Sequence, residues 1–72
     1  MKLSEFRTAV SDEFGAAYGA VLTNDLGLTE FGSKTAEEAL RSGAAPREVW
    51  IALCSATDVP EDRRHGVGRL QP

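Results

Sequence analysis

Apolar positions recur at helical spacing in separate stretches of the chain, and the residues between them are the kind that start and stop helices. Phe6, Val10 and Phe14 fall at i, i+4 and i+8, with Thr8, Ser11 and Asp12 on the opposite face. Ser4 is the expected N-cap, and Leu3 before it staples the entry. Gly15 should interrupt this helix. A second is predicted from about Ala16 to Asp25, along which Tyr18, Val21, Leu22 and Leu26 are spaced i, i+3, i+4 and i+8. Within it Gly19 either weakens the helix or permits a close helix crossing. Leu26-Gly27-Leu28 reads as its stop, with Gly27 left-handed and Leu28 packed back on the helix.

Thr29 to Lys34 is too short for regular structure of its own. Gly32 and Ser33 mark a turn, and Phe31 anchors the connector. The stretch from Thr35 to Pro60 holds the clearest punctuation. Thr35 with Glu38 three residues on forms a capping box, in which each side chain satisfies a backbone N–H near the helix start. The third helix then runs from Ala36 to Ser42, presents Ala36, Ala39 and Leu40 inward, and is closed by Gly43. Pro46, with its fixed φ and missing N–H, suits the first turn of a fourth helix that runs to Thr57, before Asp58-Val59-Pro60 ends it. Val49, Trp50, Leu53 and Cys54 share one broad stripe of this helix, with Arg47, Glu48 and Ser55 toward solvent. Ile51 points roughly 130° away from the centre of that stripe, at 100° per residue.

No strand pattern or internal repeat is visible. The predicted class is therefore all-α, a compact array of four short helices in a single domain over residues 1–64, with residues 65–72 as a flexible C-terminal tail. Phe6, Phe14, Tyr18, Leu22, Leu40, Trp50 and Leu53 are the expected core. With 72 residues, such a core supplies a net stability of only roughly 3 to 5 kcal/mol, and a catalytic cleft is hard to accommodate.

Eight Lys and Arg against eleven Asp and Glu give a net charge of −3, the wrong sign for non-specific attraction to nucleic acid or anionic lipid. The longest apolar runs fall far short of a membrane span. One cysteine forms no internal disulfide and the N-terminus lacks a signal peptide's apolar run, so the expected location is cytoplasmic.

Candidate chemistry is sparse. Cys54 lies on the apolar stripe without a histidine on its helix, so a buried, inert thiol is expected. His65 is the only histidine, lies beside Gly66 in the tail, and has no second ligand at a metal-site spacing. Asp12, Glu13, Asp25, Glu30, Glu37 and Glu38 form no calcium-loop spacing and no pair on one helix face suited to acid–base work. No phosphate loop or nucleophile elbow is present. No catalytic, cofactor-binding or metal-binding residue is therefore assigned, and no enzymatic activity is expected.

A helix-turn-helix over residues 35–57 is the sharper alternative, because Ala39 and Gly43 have the small-residue spacing found around that turn and Val49 falls where the second helix turns apolar. Glu38 and Ser42 stand where such motifs are apolar, and Pro46, Arg47 and Glu48 open the would-be recognition helix where base-reading side chains are needed. Arg63 and Arg64 supply a candidate basic patch for this reading.

M-K-L-S-E-F at the start, F-G-A-A-Y from Phe14 to Tyr18, G-S-K-T-A-E-E-A-L from Gly32 to Leu40, Gly43, V-W-I-A-L-C from Val49 to Cys54 and D-V-P from Asp58 to Pro60 follow one another in an order and spacing that are fairly specific. Over residues 1 to about 64 the chain resembles the short actinobacterial proteins of the domain-of-unknown-function family numbered 3046. The resemblance implies a small, mainly helical cytoplasmic protein and carries over no activity, cofactor or site residue. The reading that remains is a non-enzymatic protein-interaction or regulatory module, monomeric or weakly homodimeric, with Arg47 and Ile51 as its contact surface for an unknown protein partner. DNA binding is the alternative.

Overall fold

A computed structural model describes residues 1–64. The expected tail, 65–72, and His65 with it, lie outside the described residues. Helix α1 spans Leu3–Phe14. It starts earlier than the Ser4 cap would have it. The N-cap is Lys2, in extended backbone, and the Glu5 carboxylate reaches back to accept from the Lys2 backbone N–H at 2.7 Å. That half of a capping box suffices, and Ser4 becomes part of the first turn, where its carbonyl accepts from the Thr8 hydroxyl at 3.1 Å.

Gly15 joins α1 to α2, Ala16–Asp25, with φ +86°, a conformation open to glycine and strained for other residues. Helix α2 then crosses α1 closely at Gly19. A Cβ on Gly19 would lie 2.6 Å from Val10 Cγ1, so a bare Cα fits there and any side chain forces Val10 or the crossing to shift. This contact sets which face of α2 is buried, namely Gly19, Leu22 and Thr23. Tyr18, expected in the core, and Val21, on the same predicted stripe, are instead 59% and 52% exposed, because the close crossing turns their side of the helix outward. The Phe14 ring still meets Tyr18 edge-on at 6.3 Å.

The connector departs from the all-α expectation. After Leu26 the chain stays extended, and β1, Gly27–Leu28, pairs antiparallel with β2, Lys34–Thr35, in the register Gly27↔Thr35 and Leu28↔Lys34. Gly27 is not left-handed. Its role is close approach, since a Cβ there would meet the Ser33 carbonyl oxygen at 2.8 Å. A 3-10 turn, Thr29–Phe31, and two left-handed residues, Gly32 and Ser33, reverse the chain between the strands. Leu28 goes into the centre of the core, fully buried. The fold is thus mostly helical with one small two-stranded sheet.

Helix α3, Ala36–Arg41, begins with the expected capping box. Glu38 N–H donates to Thr35 Oγ1 at 3.2 Å, and Thr35 N–H donates to the Glu38 carboxylate at 2.9 Å. It closes at Gly43 (φ +99°) with Gly43 N–H donating to the Leu40 carbonyl and Ala44 N–H to that of Ala39, a Schellman arrangement. Helix α4, Pro46–Ala56, has its proline in the first turn and ends in the same way. Asp58 is left-handed at φ +60°, and Val59 N–H donates to the Cys54 carbonyl at 3.0 Å while its side chain is buried.

The core gathers Phe6, Val10, Leu22, Leu28, Val49, Trp50, Leu53 and Cys54 with the small residues Ala9, Ala36, Ala39 and Ala52. Phe14 and Leu40, expected inside, pack against it half-buried. Trp50 is its aromatic hub: Phe6 and Phe14 each meet the indole edge-on at 6.4 Å, the offset geometry that ring quadrupoles favour.

Candidate functional site

The outward face of α4 carries Arg47, Glu48, Ile51 and Ser55, while its neighbours Val49, Trp50, Ala52, Leu53 and Cys54 are buried. Ile51 is 43% exposed and forms a ridge between two open hollows. On one side Ile51, Phe31 and Ala52 line a hollow of ≈ 260 Å³ whose rim carries Glu30 and Glu48. On the other side Met1, Arg47, Trp50, Ile51, Glu61 and Arg64 line one of ≈ 330 Å³. The two residues singled out from the helical period, Arg47 and Ile51, therefore share one surface. Phe31, Glu30 and Met1 join it from elsewhere in the chain, and no local pattern marks them.

Arg63 and Arg64 have partners. The Arg63 guanidinium donates to the Glu13 carboxylate at 3.0 and 3.2 Å, and this pairing holds the Arg63 pKa above its ordinary value. Arg64 donates through Nε to the Val59 carbonyl at 2.6 Å and more weakly to Ser55 Oγ at 3.3 Å. A second ion pair ties α1 to α3, where Arg7 forks onto both oxygens of Glu37, one of the two bonds measuring 2.8 Å. These hydrogen bonds chiefly hold the Glu37 carboxyl below its ordinary pKa, against an opposing push from burial.

Cys54 lies fully buried among core side chains. Burial pushes its thiol up to about 11; the nearby Arg64 charge works against that shift and Glu13 reinforces it. At neutral pH it is a protonated thiol, a poor nucleophile. Of the acidic residues, Glu13, Glu37 and Glu38 are engaged in the contacts above. No group of three His, Cys, Asp or Glu side chains gathers at metal-binding distance among the described residues. No described helix is long and apolar enough to cross a membrane.

The α3–α4 pair has the layout of two helices joined by a short turn, Ser42 to Ala45. Its outward residues on α4 mix one cation, one carboxylate, one aliphatic group and one hydroxyl. That set lacks the run of Arg, Lys, Asn or Gln that reads base edges.

No curated protein and no solved structure matches the chain. The family model described as protein of unknown function, DUF3046, matches residues 1–62. With nearly the whole described fold inside that match, the chain belongs to the DUF3046 family.

Proposed function

We propose that the protein is a cytoplasmic, non-enzymatic interaction module that docks another protein on the outer face of α4. The observation that carries this reading is the Ile51 ridge, an aliphatic side chain held 43% exposed between two hollows by a helix whose other large apolar residues are buried. Single exposed apolar residues are common on protein surfaces; an exposed one beside an apolar hollow with charged groups around it is the usual anatomy of a contact. The lone, buried, reduced cysteine accords with a cytoplasmic location. The outer side of α2, with Tyr18 and Val21 exposed and no charge from Gly15 through Asn24, is the surface on which a weak homodimer would form.

The test is affinity capture from native cytosol, followed by mass spectrometry, with wild type and Ile51→Glu side by side. The variant should melt as wild type does and lose the captured partner. Unchanged capture by the folded variant removes this surface.

The second reading is DNA contact through residues 35–57, favoured by the short turn between α3 and α4 and by exposed Arg47. Arg63 and Arg64 add little to it, since their guanidinium groups are engaged within the fold. Titration of labelled duplex DNA with a steep loss of affinity on adding salt supports this reading, and no binding at low salt rejects it.

A further inference from the structure

The hollow beside Ile51 has a rim of one charge sign. Glu30 and Glu48 are exposed and accept no hydrogen bond or ion pair from any described residue. Glu13, Glu37 and Glu38, by contrast, are partnered, by Arg63, Arg7 and the Thr35 backbone in turn. At ≈ 260 Å³ the hollow is smaller than the roughly 300 to 1,000 Å³ of small-molecule sites, and its apolar lining is Phe31, Ala52 and the flank of Ile51, without a convergent polar group. A single bulky apolar side chain suits that lining. Two unpaired carboxylates beside it repel an acidic neighbour and attract a basic one, an effect that the net charge of −3 reinforces at longer range.

We propose that this hollow receives a leucine-like side chain of a partner polypeptide segment that carries Arg or Lys next to it, the cation resting between Glu30 and Glu48. The proposal rests on the reading of the Ile51 face as a protein contact and specifies the chemistry of its partner. Arg47, exposed on the other side of Ile51, gives the bound segment a direction, with its basic end over the glutamates and an acidic residue or a carboxyl terminus toward Arg47. A contact of this size belongs with small, transient interfaces.

The test uses the full chain and fluorescein-labelled heptapeptides of glycine and serine with two arginines on one side of a central leucine, with glutamates replacing the arginines, or with alanine replacing the leucine. By fluorescence anisotropy the arginine–leucine peptide should bind and the glutamate and alanine versions should not. Glu30→Gln/Glu48→Gln should weaken binding about tenfold, as should raising salt from about 0.05 to 0.3 M. The charge-matched control Asp12→Asn/Asp25→Asn, away from the hollow, should leave it near wild type.

Equal effects of the two double variants would reduce the attraction to net charge and overturn the proposal. Equal binding of the arginine and glutamate peptides, still abolished by Ile51→Glu, would overturn the partner chemistry while leaving the Ile51 surface standing. Binding indifferent to Ile51→Glu would remove both. The chain's own Arg69 and Leu70 have the same chemistry. A several-fold gain in peptide affinity on Arg69→Ala/Leu70→Ala would assign the hollow to the chain itself and overturn a partner in trans.

Discussion

The indole N–H of Trp50 donates to the backbone carbonyl of Arg64 at 2.8 Å. Arg64 in turn donates to the Val59 carbonyl, and Arg63 reaches Glu13 on α1. The segment after Pro60 is therefore strapped across the end of the core, and the strap gives the largest buried ring a partner for its one polar atom. Without it, a buried N–H would lack an acceptor, which typically costs about 1–3 kcal/mol.

Substitution at Trp50 should separate these two contributions. Trp50→Phe keeps an aromatic ring against Phe6 and Phe14 but removes the donor, and should cost about 1–2 kcal/mol. Trp50→Ala should cost about 3–5 kcal/mol, comparable with the whole stability of so small a domain. Urea unfolding measures both. A Trp50→Ala protein with the wild-type midpoint would show that this aromatic cluster does not support the fold.

Gly19→Ala should destabilise the protein even though alanine is the better helix former by about 1 kcal/mol. The added Cβ would meet Val10 Cγ1 at 2.6 Å, and forcing the α1–α2 crossing apart should outweigh that gain by about 1–2 kcal/mol. Val10→Ala removes the opposing methyl group. The double variant should therefore be more stable than the two single losses added together, and simple additivity would count against the close crossing as the cause.

The Arg7–Glu37 pair predicts a pH dependence. Because the folded-state pKa of Glu37 lies below its ordinary 4.5, the stabilisation is present above about that pH and is lost as pH falls through the folded value. Arg7 is half exposed, with 47% of its side chain accessible, so solvent screening limits the gain to about 0.5–1 kcal/mol. Thermal melts of Arg7→Gln and wild type should differ at neutral pH and converge in acid. A gap that persists at pH 2 would assign the loss to packing instead.

Cys54 should label with thiol reagents only through opening of the fold. Its thiol, held near 11 and fully buried, should stay protonated in the native state at pH 9, where an unfolded chain's cysteine is largely ionised. Labelling rates that rise with added urea in step with unfolding support this. Fast labelling in native buffer would mean that the strap over Trp50 opens readily.

The boundaries of α3 and α4 were legible because they depend on neighbours in sequence. The Thr35–Glu38 capping box, Gly43, Pro46 and the Asp58-Val59 stop each act within a few residues of themselves, and the structure has them in those roles. The buried stripe of α4, with Ile51 outside it, follows from helical period alone, since the apolar residues there lie mostly on one side.

The buried face of α2 was decided by tertiary packing. From Gly15 through Asn24 that segment carries no charge, so its pattern has no direction, and the notch at Gly19 against Val10 turns Tyr18 and Val21 outward. The β1–β2 pairing was likewise invisible, since two-residue strands show no alternation to read. Pairings such as Arg7–Glu37 and Arg63–Glu13 join residues 30 and 50 positions apart. The hollow likewise brings Glu30 and Phe31 beside Ile51, from about 20 positions away in sequence. The sequence by itself determined where α3 and α4 begin and end, because capping and backbone preference are local. Tertiary structure alone decided which face of α2 stays exposed and which charges stay unpaired, because both depend on what the fold places opposite them.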